Sequence, residues 1–128
     1  MKPEQALWAL VRPYIPGHVE RVENVANTGT PDVVFCFQGV TTWIELKVAA
    51  KTDDKMEDLL RPEQKVWHLK HVTNRGNVFV LFRVGAQLTL YRAGWPTKDQ
   101  PTICTYIVVW TDVKNWDWRM FEANLRSY

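Results

Sequence analysis

Cysteine is scarce in this sequence: Cys36 and Cys104 are the two in 128 residues. A disulfide framework needs more thiols at closer spacing, so the fold must stand on a hydrophobic core. Both cysteines sit in apolar runs and read as buried thiols of a reducing compartment. Long apolar stretches are missing too, and none approaches the roughly 20 residues that a bilayer-spanning helix needs. The opening Met1-Lys2-Pro3-Glu4-Gln5 lacks the basic-then-apolar pattern of a secretory leader, which leads us to expect a cytoplasmic protein. Neither charge sign dominates: 16 Lys and Arg face 14 Asp and Glu, a net charge of +2. So mild an excess neither announces nor excludes a nucleic-acid partner. No internal repeat or low-complexity tract is visible.

What is present suits one soluble domain spanning 1–128, with 46% hydrophobic and 23% charged residues. A chain of this length buries roughly two-thirds of its unfolded surface. The 7 tryptophans are unusual for the size. Most belong in a core, although an exposed one can stack on an unpaired base.

Glu4 to about Val11 predicts a short helix behind Pro3, broken by Pro13, Pro16 and Gly17. His18 to Val25 alternates as a strand, and 27–31 reads as a turn. Asp32–Phe37 and Thr41–Val48 are β-rich runs flanking Gln38-Gly39, a hairpin signal. Lys51 to about Leu60 is a polar loop of both charge signs, expected to be mobile. Pro62 opens a helix to about Thr73, with Gln64, His68, His71 and Arg75 along one stripe. The histidines there read as a solvated face. Val78–Val84 and Gln87–Tyr91 form a second hairpin around Gly85-Ala86. Gly94–Pro101 is a loop, Ile103–Trp110 a strand, and Trp116–Leu125 a closing helix with Trp118, Phe121 and Leu125 at helical spacing. The order α, β, β, β, α, β, β, β, α predicts an α/β or α+β domain around a mixed sheet flanked by helices.

The first hairpin carries a geometric expectation. If Gln38-Gly39 is a two-residue turn, Phe37 pairs with Val40, and counting back brings Asp32 opposite Glu45. Cross-strand partners share a face with Cβ atoms about 5 Å apart. Lys47, two residues beyond Glu45, shares that face, while Val33, Phe35, Phe37, Ile44, Leu46 and Val48 form an apolar surface on the other. Two carboxylates that close repel unless something positive lies between them. A divalent cation fits hard oxygen ligands of this kind, and Mg²⁺ keeps waters in its shell and accepts a phosphate oxygen. Lys47 can orient a water or offset phosphate charge. The competing reading is a solvated ion-pair patch, because a Glu-x-Lys triplet is common by chance.

Pro31-Asp32 followed by Glu45-Leu46-Lys47 resembles the signature of PD-(D/E)xK nucleases. The wider run, from Gly29-Thr30-Pro31-Asp32-Val33 through Trp43-Ile44-Glu45-Leu46-Lys47 to Arg61-Pro62-Glu63-Gln64, resembles the virus-type replication-repair nuclease (VRR-NUC) branch. Phage-encoded members of that branch are small stand-alone proteins. The resemblance spans about Glu4 to Val84. It implies a restriction-endonuclease-like core, dependence on Mg²⁺ or Mn²⁺, and hydrolysis of DNA phosphodiesters. It further implies a homodimer that cuts branched DNA such as Holliday junctions, phage- or prophage-encoded in a bacterial cell. By position, Asp32 and Glu45 match the metal ligands, with the Leu46 carbonyl a third, Lys47 the motif lysine and Gln64 the family's glutamine. A further acidic ligand is matched by Glu4, with Glu23 a rival. Lys51, Lys55, Arg61 and Lys65 are candidates to grip DNA phosphates, although Asp53, Asp54, Glu57 and Asp58 are interleaved. A general or nicking nuclease, or an inactive DNA-binding module, are the alternatives.

Overall fold

The computed structural model describes residues 2–22, 29–94 and 104–126. Helix α1 (Pro3–Val11) leads through a short 3-10 turn to strand β1 (His18–Arg21), then β2 (Val33–Phe37) and β3 (Val40–Val48). Helices α2 (Met56–Leu59) and α3 (Pro62–Thr73) cross over to β4 (Asn77–Val84), followed by β5 (Gln87–Gly94), β6 (Cys104–Asp112) and helix α4 (Trp118–Arg126). Among the described residues the strands form one six-stranded sheet in the order β1-β2-β3-β4-β5-β6. β3 and β4 run parallel and every other neighbouring pair is antiparallel, which makes this the expected mixed α/β architecture. None of the described helices is long and apolar enough to cross a membrane.

Turn chemistry explains the register of the first hairpin. Gln38 and Gly39 both have positive φ, 51° and 83°, as a two-residue type I′ turn requires. The ladder follows from it: Phe37 pairs with Val40, Phe35 with Thr42, and Val33 with Ile44. Because strand side chains alternate, this pairing sends Val33, Phe35, Ile44 and Leu46 to one face. There they meet Leu7 and Val11 of α1 and Phe121 and Leu125 of α4 in the main core. Tyr14 and Trp118 close its edge as stacked rings 3.9 Å apart.

The opposite face is covered more thinly. Val80 and Phe82 pack under Met56 and Leu60, and Val78 and Ala93 under Val72 and the half-buried Trp67. Two expectations are corrected here. The 51–60 segment is not wholly a loop: it holds α2, pinned by Met56 and Leu60, four residues apart and both buried. Cys36 is exposed rather than buried, because its face of β1 and β2 carries no covering helix among the described residues. β5 continues to Gly94, past its expected end at Tyr91. The outer part of the expected first strand (23–25), residues 27–28 of the expected 27–31 turn and loop residues 95–101 lie outside the described residues.

Space around Gly39 is open, so its substitution by alanine changes conformational preference alone. Gly39→Ala should lower unfolding free energy by about 1–2 kcal/mol, the cost of a left-handed L-residue. Urea denaturation measures this, and an unchanged midpoint would contradict the type I′ turn.

Candidate active site

The ladder between β2 and β3 ends at Val33–Ile44, and Asp32 is the next residue out. Its backbone carbonyl turns toward β1 and accepts from Val22 N–H at 2.6 Å. Its side chain turns toward β3, where Oδ2 accepts from Leu46 N–H at 2.8 Å. The preceding proline supplies the reason. Extending the register by two would set Pro31 opposite Leu46, and proline has no N–H to give. An extended residue turns its N–H and C=O to the same side. The Leu46 carbonyl therefore faces the place where β2 leaves the sheet, with no ladder donor from Pro31.

Glu45 points to the same side and is 1% exposed. Oε1 accepts from Gln64 Nε2 at 2.8 Å and lies 3.9 Å from Lys47 Nζ. Oε2 is buried with no hydrogen-bond partner. Burial, then the neighbouring Asp32 carboxylate, push the Glu45 carboxyl up from its ordinary 4.5 to about 9, against the pull of Lys47. Glu4 adds a smaller upward push from α1. Its charge reaches Glu45, but among the described residues no three acidic, histidine or cysteine side chains converge closely enough to form a ligand cluster. Glu23 lies outside the described residues.

Gln64 is fixed at both ends of its amide. Oε1 accepts from Arg61 N–H at 2.9 Å, which leaves Nε2 to donate to Glu45. That arrangement caps the first turn of α3 and ties the helix to the acidic strand. Gly29 sets how close the two segments come. It adopts φ 82°, and a Cβ there would collide with the Glu63 carbonyl and crowd the Gln64 amide. The glycine before Thr30-Pro31-Asp32 thus lets the loop pass against the helix end that carries Gln64. Nothing in local spacing signals this long-range contact.

The expected solvated histidines are a correction. α3 faces the sheet with Gln64, His68 and Val72, each four residues on, and His68 is 1% exposed with Nε2 unpartnered. Burial, Lys47 and His71 lower the His68 imidazole to about 4, so it stays neutral. His71 is half-buried and stacks on Trp67 at 4.5 Å, while Arg75 is exposed. Lys51, Lys55, Arg61 and Lys65 are all exposed along the segment after β3. Arg61 is partly engaged, with Nε 3.4 Å from Glu63.

The site therefore offers two neighbouring carboxylates, one of them with a buried unpartnered oxygen, and the Leu46 carbonyl. All are hard oxygen donors, a set that fits a Mg²⁺- or Mn²⁺-like cation and lacks the sulfur or imidazole of zinc and copper sites.

No family model and no curated protein matches the chain. Among solved structures it is similar to Hjc, a Holliday junction resolvase from the archaeal hyperthermophile Archaeoglobus fulgidus. The two share 16% identity over 70% of this chain and 74% of the other, with a TM-score of 0.42. A likeness at that level speaks to neither activity nor substrate.

Two outcomes are expected from this geometry. Gly29→Ala should cost about 2 kcal/mol or more, since it combines a left-handed backbone with a backbone collision; calorimetry checks it. The second concerns pH. Glu45 keeps its proton to about 9 when folded but loses it near 4.5 when unfolded, so its contribution is complete below 4.5 and fades as pH rises toward 9. His68 acts in the opposite sense, its contribution present above 6.5 and lost as pH falls toward 4. Above 6.5 Glu45 alone of these two is titrating. In EDTA, unfolding free energy should fall from pH 6.5 to 9 and Glu45→Gln should flatten that slope. An equal slope in the variant would remove Glu45 as its source.

Proposed function

We propose that this protein is a metal-dependent endodeoxyribonuclease of the PD-(D/E)xK type, VRR-NUC branch, that hydrolyses phosphodiester bonds in branched DNA such as a Holliday junction. The observation that carries the reading is the buried Glu45 carboxyl close to the Asp32 charge and to Lys47, with one Glu45 oxygen left without a partner. A surface ion-pair patch would be solvated and matched in charge; this one is dry and short of a cation. Asp32, Glu45 and the Leu46 carbonyl would hold the ion, with Glu4 as an outer carboxylate. Bound Mg²⁺ or Mn²⁺ would act as a Lewis acid toward the scissile phosphate and lower the pKa of an attacking water.

The chain's own residues do the rest. Leu46 N–H holds one Asp32 oxygen, which leaves the other to turn into the site. Gln64 keeps Glu45 from swinging toward Arg61 or solvent, because both ends of its amide are committed. Lys47, with a side chain 12% exposed, presents its ammonium beside Glu45, where it can offset phosphate charge and orient water. Lys51, Lys55, Arg61 and Lys65 supply contacts to flanking phosphates, so binding should weaken as salt rises. A homodimer would present two such sites to two strands.

The test is to incubate the protein with a four-way junction, a flap, duplex and single-stranded DNA, in Mg²⁺, Mn²⁺ or EDTA. The junction should be cut in metal and spared in EDTA. Asp32→Ala, Glu45→Ala and Lys47→Ala should each lose about a hundredfold or more in rate. Cutting that persists in EDTA, or in Glu45→Ala, would falsify the mechanism. Equal cutting of all duplexes would favour a general nuclease, and tight binding without cutting an inactive module.

A further inference from the structure

A recess of about 390 Å³ lies between the start of α1 and the end of β1, lined by Lys2, Pro3, Glu4, Gln5, Arg21 and Val48. Its place in the fold ties it to the site. Glu4 is the residue of α1 whose charge reaches Glu45, while Arg21 and Val48 lie on the α1 side of the sheet, opposite the face of Glu45 and Lys47. Arg21 is the last residue of β1, and the next residue, Val22, binds the Asp32 carbonyl.

Arg21 has no anion. Its Nη1 is buried without a hydrogen-bond partner, and no carboxylate of the described residues pairs with it. Its guanidinium carbon lies 5.9 Å from the Trp8 ring centroid, and Arg12 approaches the same indole at 5.7 Å. An indole face attracts a cation but does not neutralise it, and a second guanidinium there adds like charge. A half-buried guanidinium with one buried nitrogen lacking an acceptor is costly, and its planar fork matches the oxygens of a phosphate. Lys2, exposed at the rim of the recess, brings a second cation.

We propose that this recess is a phosphate subsite, in which Arg21 and Lys2 take the phosphate of the DNA strand that neighbours the scissile one. Arg21 supplies a bidentate, directional contact, and Lys2 a mobile point charge. The subsite fixes the strand's register on Asp32 and Glu45 through the backbone alone, without reading a base. It rests on the nuclease reading for the origin of the phosphate, which is either internal to the strand or a 5′-terminal group.

Binding in EDTA separates the subsite from turnover. Fluorescence anisotropy would follow a short single strand, with and without a 5′-phosphate, across a salt series. Arg21→Gln should weaken binding about tenfold and reduce the salt slope by about one, with Lys2→Ala showing a smaller loss and Arg21→Lys a partial one. A difference confined to the phosphorylated strand identifies a terminal phosphate; an equal difference on both identifies an internal diester. In the wild-type protein, inorganic phosphate should shift the Arg21 Nε–Hε resonance saturably, a readout independent of how the variants fold. Wild-type affinity and slope in both Arg21→Gln and Lys2→Ala, or an Arg21 resonance indifferent to phosphate, would overturn the subsite. A protein that cuts DNA yet shows those results keeps the nuclease reading and loses the subsite. One that shifts Arg21 with phosphate but never cuts does the reverse.

Discussion

The rest of the site depends on the register of one hairpin. Two residues with positive φ, Gln38 and Gly39, join β2 to β3, and every side chain on both strands is assigned a face by that turn. A slip of one residue would carry Glu45 and Lys47 into the core and turn Ile44 and Leu46 outward. Burying a carboxylate and an ammonium among Leu7, Phe79 and Phe121 is far costlier than any alternative turn could repay. Core and site therefore enforce the same pairing. The turn proposes it, and the apolar face makes it the stable one.

Within that frame Glu45 is the point of tension. Its carboxylate is dry, close to Asp32, and held by one amide and one ammonium at 2.8 and 3.9 Å. Neither contact neutralises the pair, which is why the proton stays on to about 9 in the absence of another cation. Gln64 has both ends of its amide engaged and is anchored through α3, so Glu45 cannot relieve the repulsion by moving away. Gly29 permits the close approach that keeps Gln64 there. A network so arranged stores an unfavourable charge state at a fixed place, which is the condition for binding a positive ion strongly.

The sequence made legible what is local. The hairpin pairing, the order of elements and the inward triplet of Trp118, Phe121 and Leu125 all follow from turn chemistry and periodicity. α3 shows where that reasoning runs out. The stripe it buries is Gln64, His68 and Val72, two polar residues in three, so hydrophobic patterning points away from it. His68 is inside because α3 must bring Gln64 onto Glu45, and a residue one turn on is carried inward with it. Cys36 errs in the other direction: an apolar strand looked buried, but its outer face meets no described helix. Met56 and Leu60 were hidden among charges, where four-residue spacing was the remaining cue. Arg21 gave no signal in sequence, since its lack of a carboxylate partner among the described residues exists in three dimensions alone.

Why the chemistry gathers at this end of the hairpin has a backbone answer. A strand inside a sheet has its amides and carbonyls consumed by neighbours, so it offers a ligand nothing but side chains. Here β3 remains bonded to β4 while β2 departs at Asp32, and Pro31 withholds the N–H that would have continued the ladder to Leu46. Leu46 is left with an amide, satisfied by the Asp32 carboxylate, and a carbonyl turned the same way. The Pro-Asp pair thus does two things at once. Proline ends the pairing and frees a carbonyl; aspartate takes the freed amide and in doing so is oriented toward Glu45. Replacing either would change both the backbone and the carboxylate geometry, so the two residues act as one unit although only one carries charge.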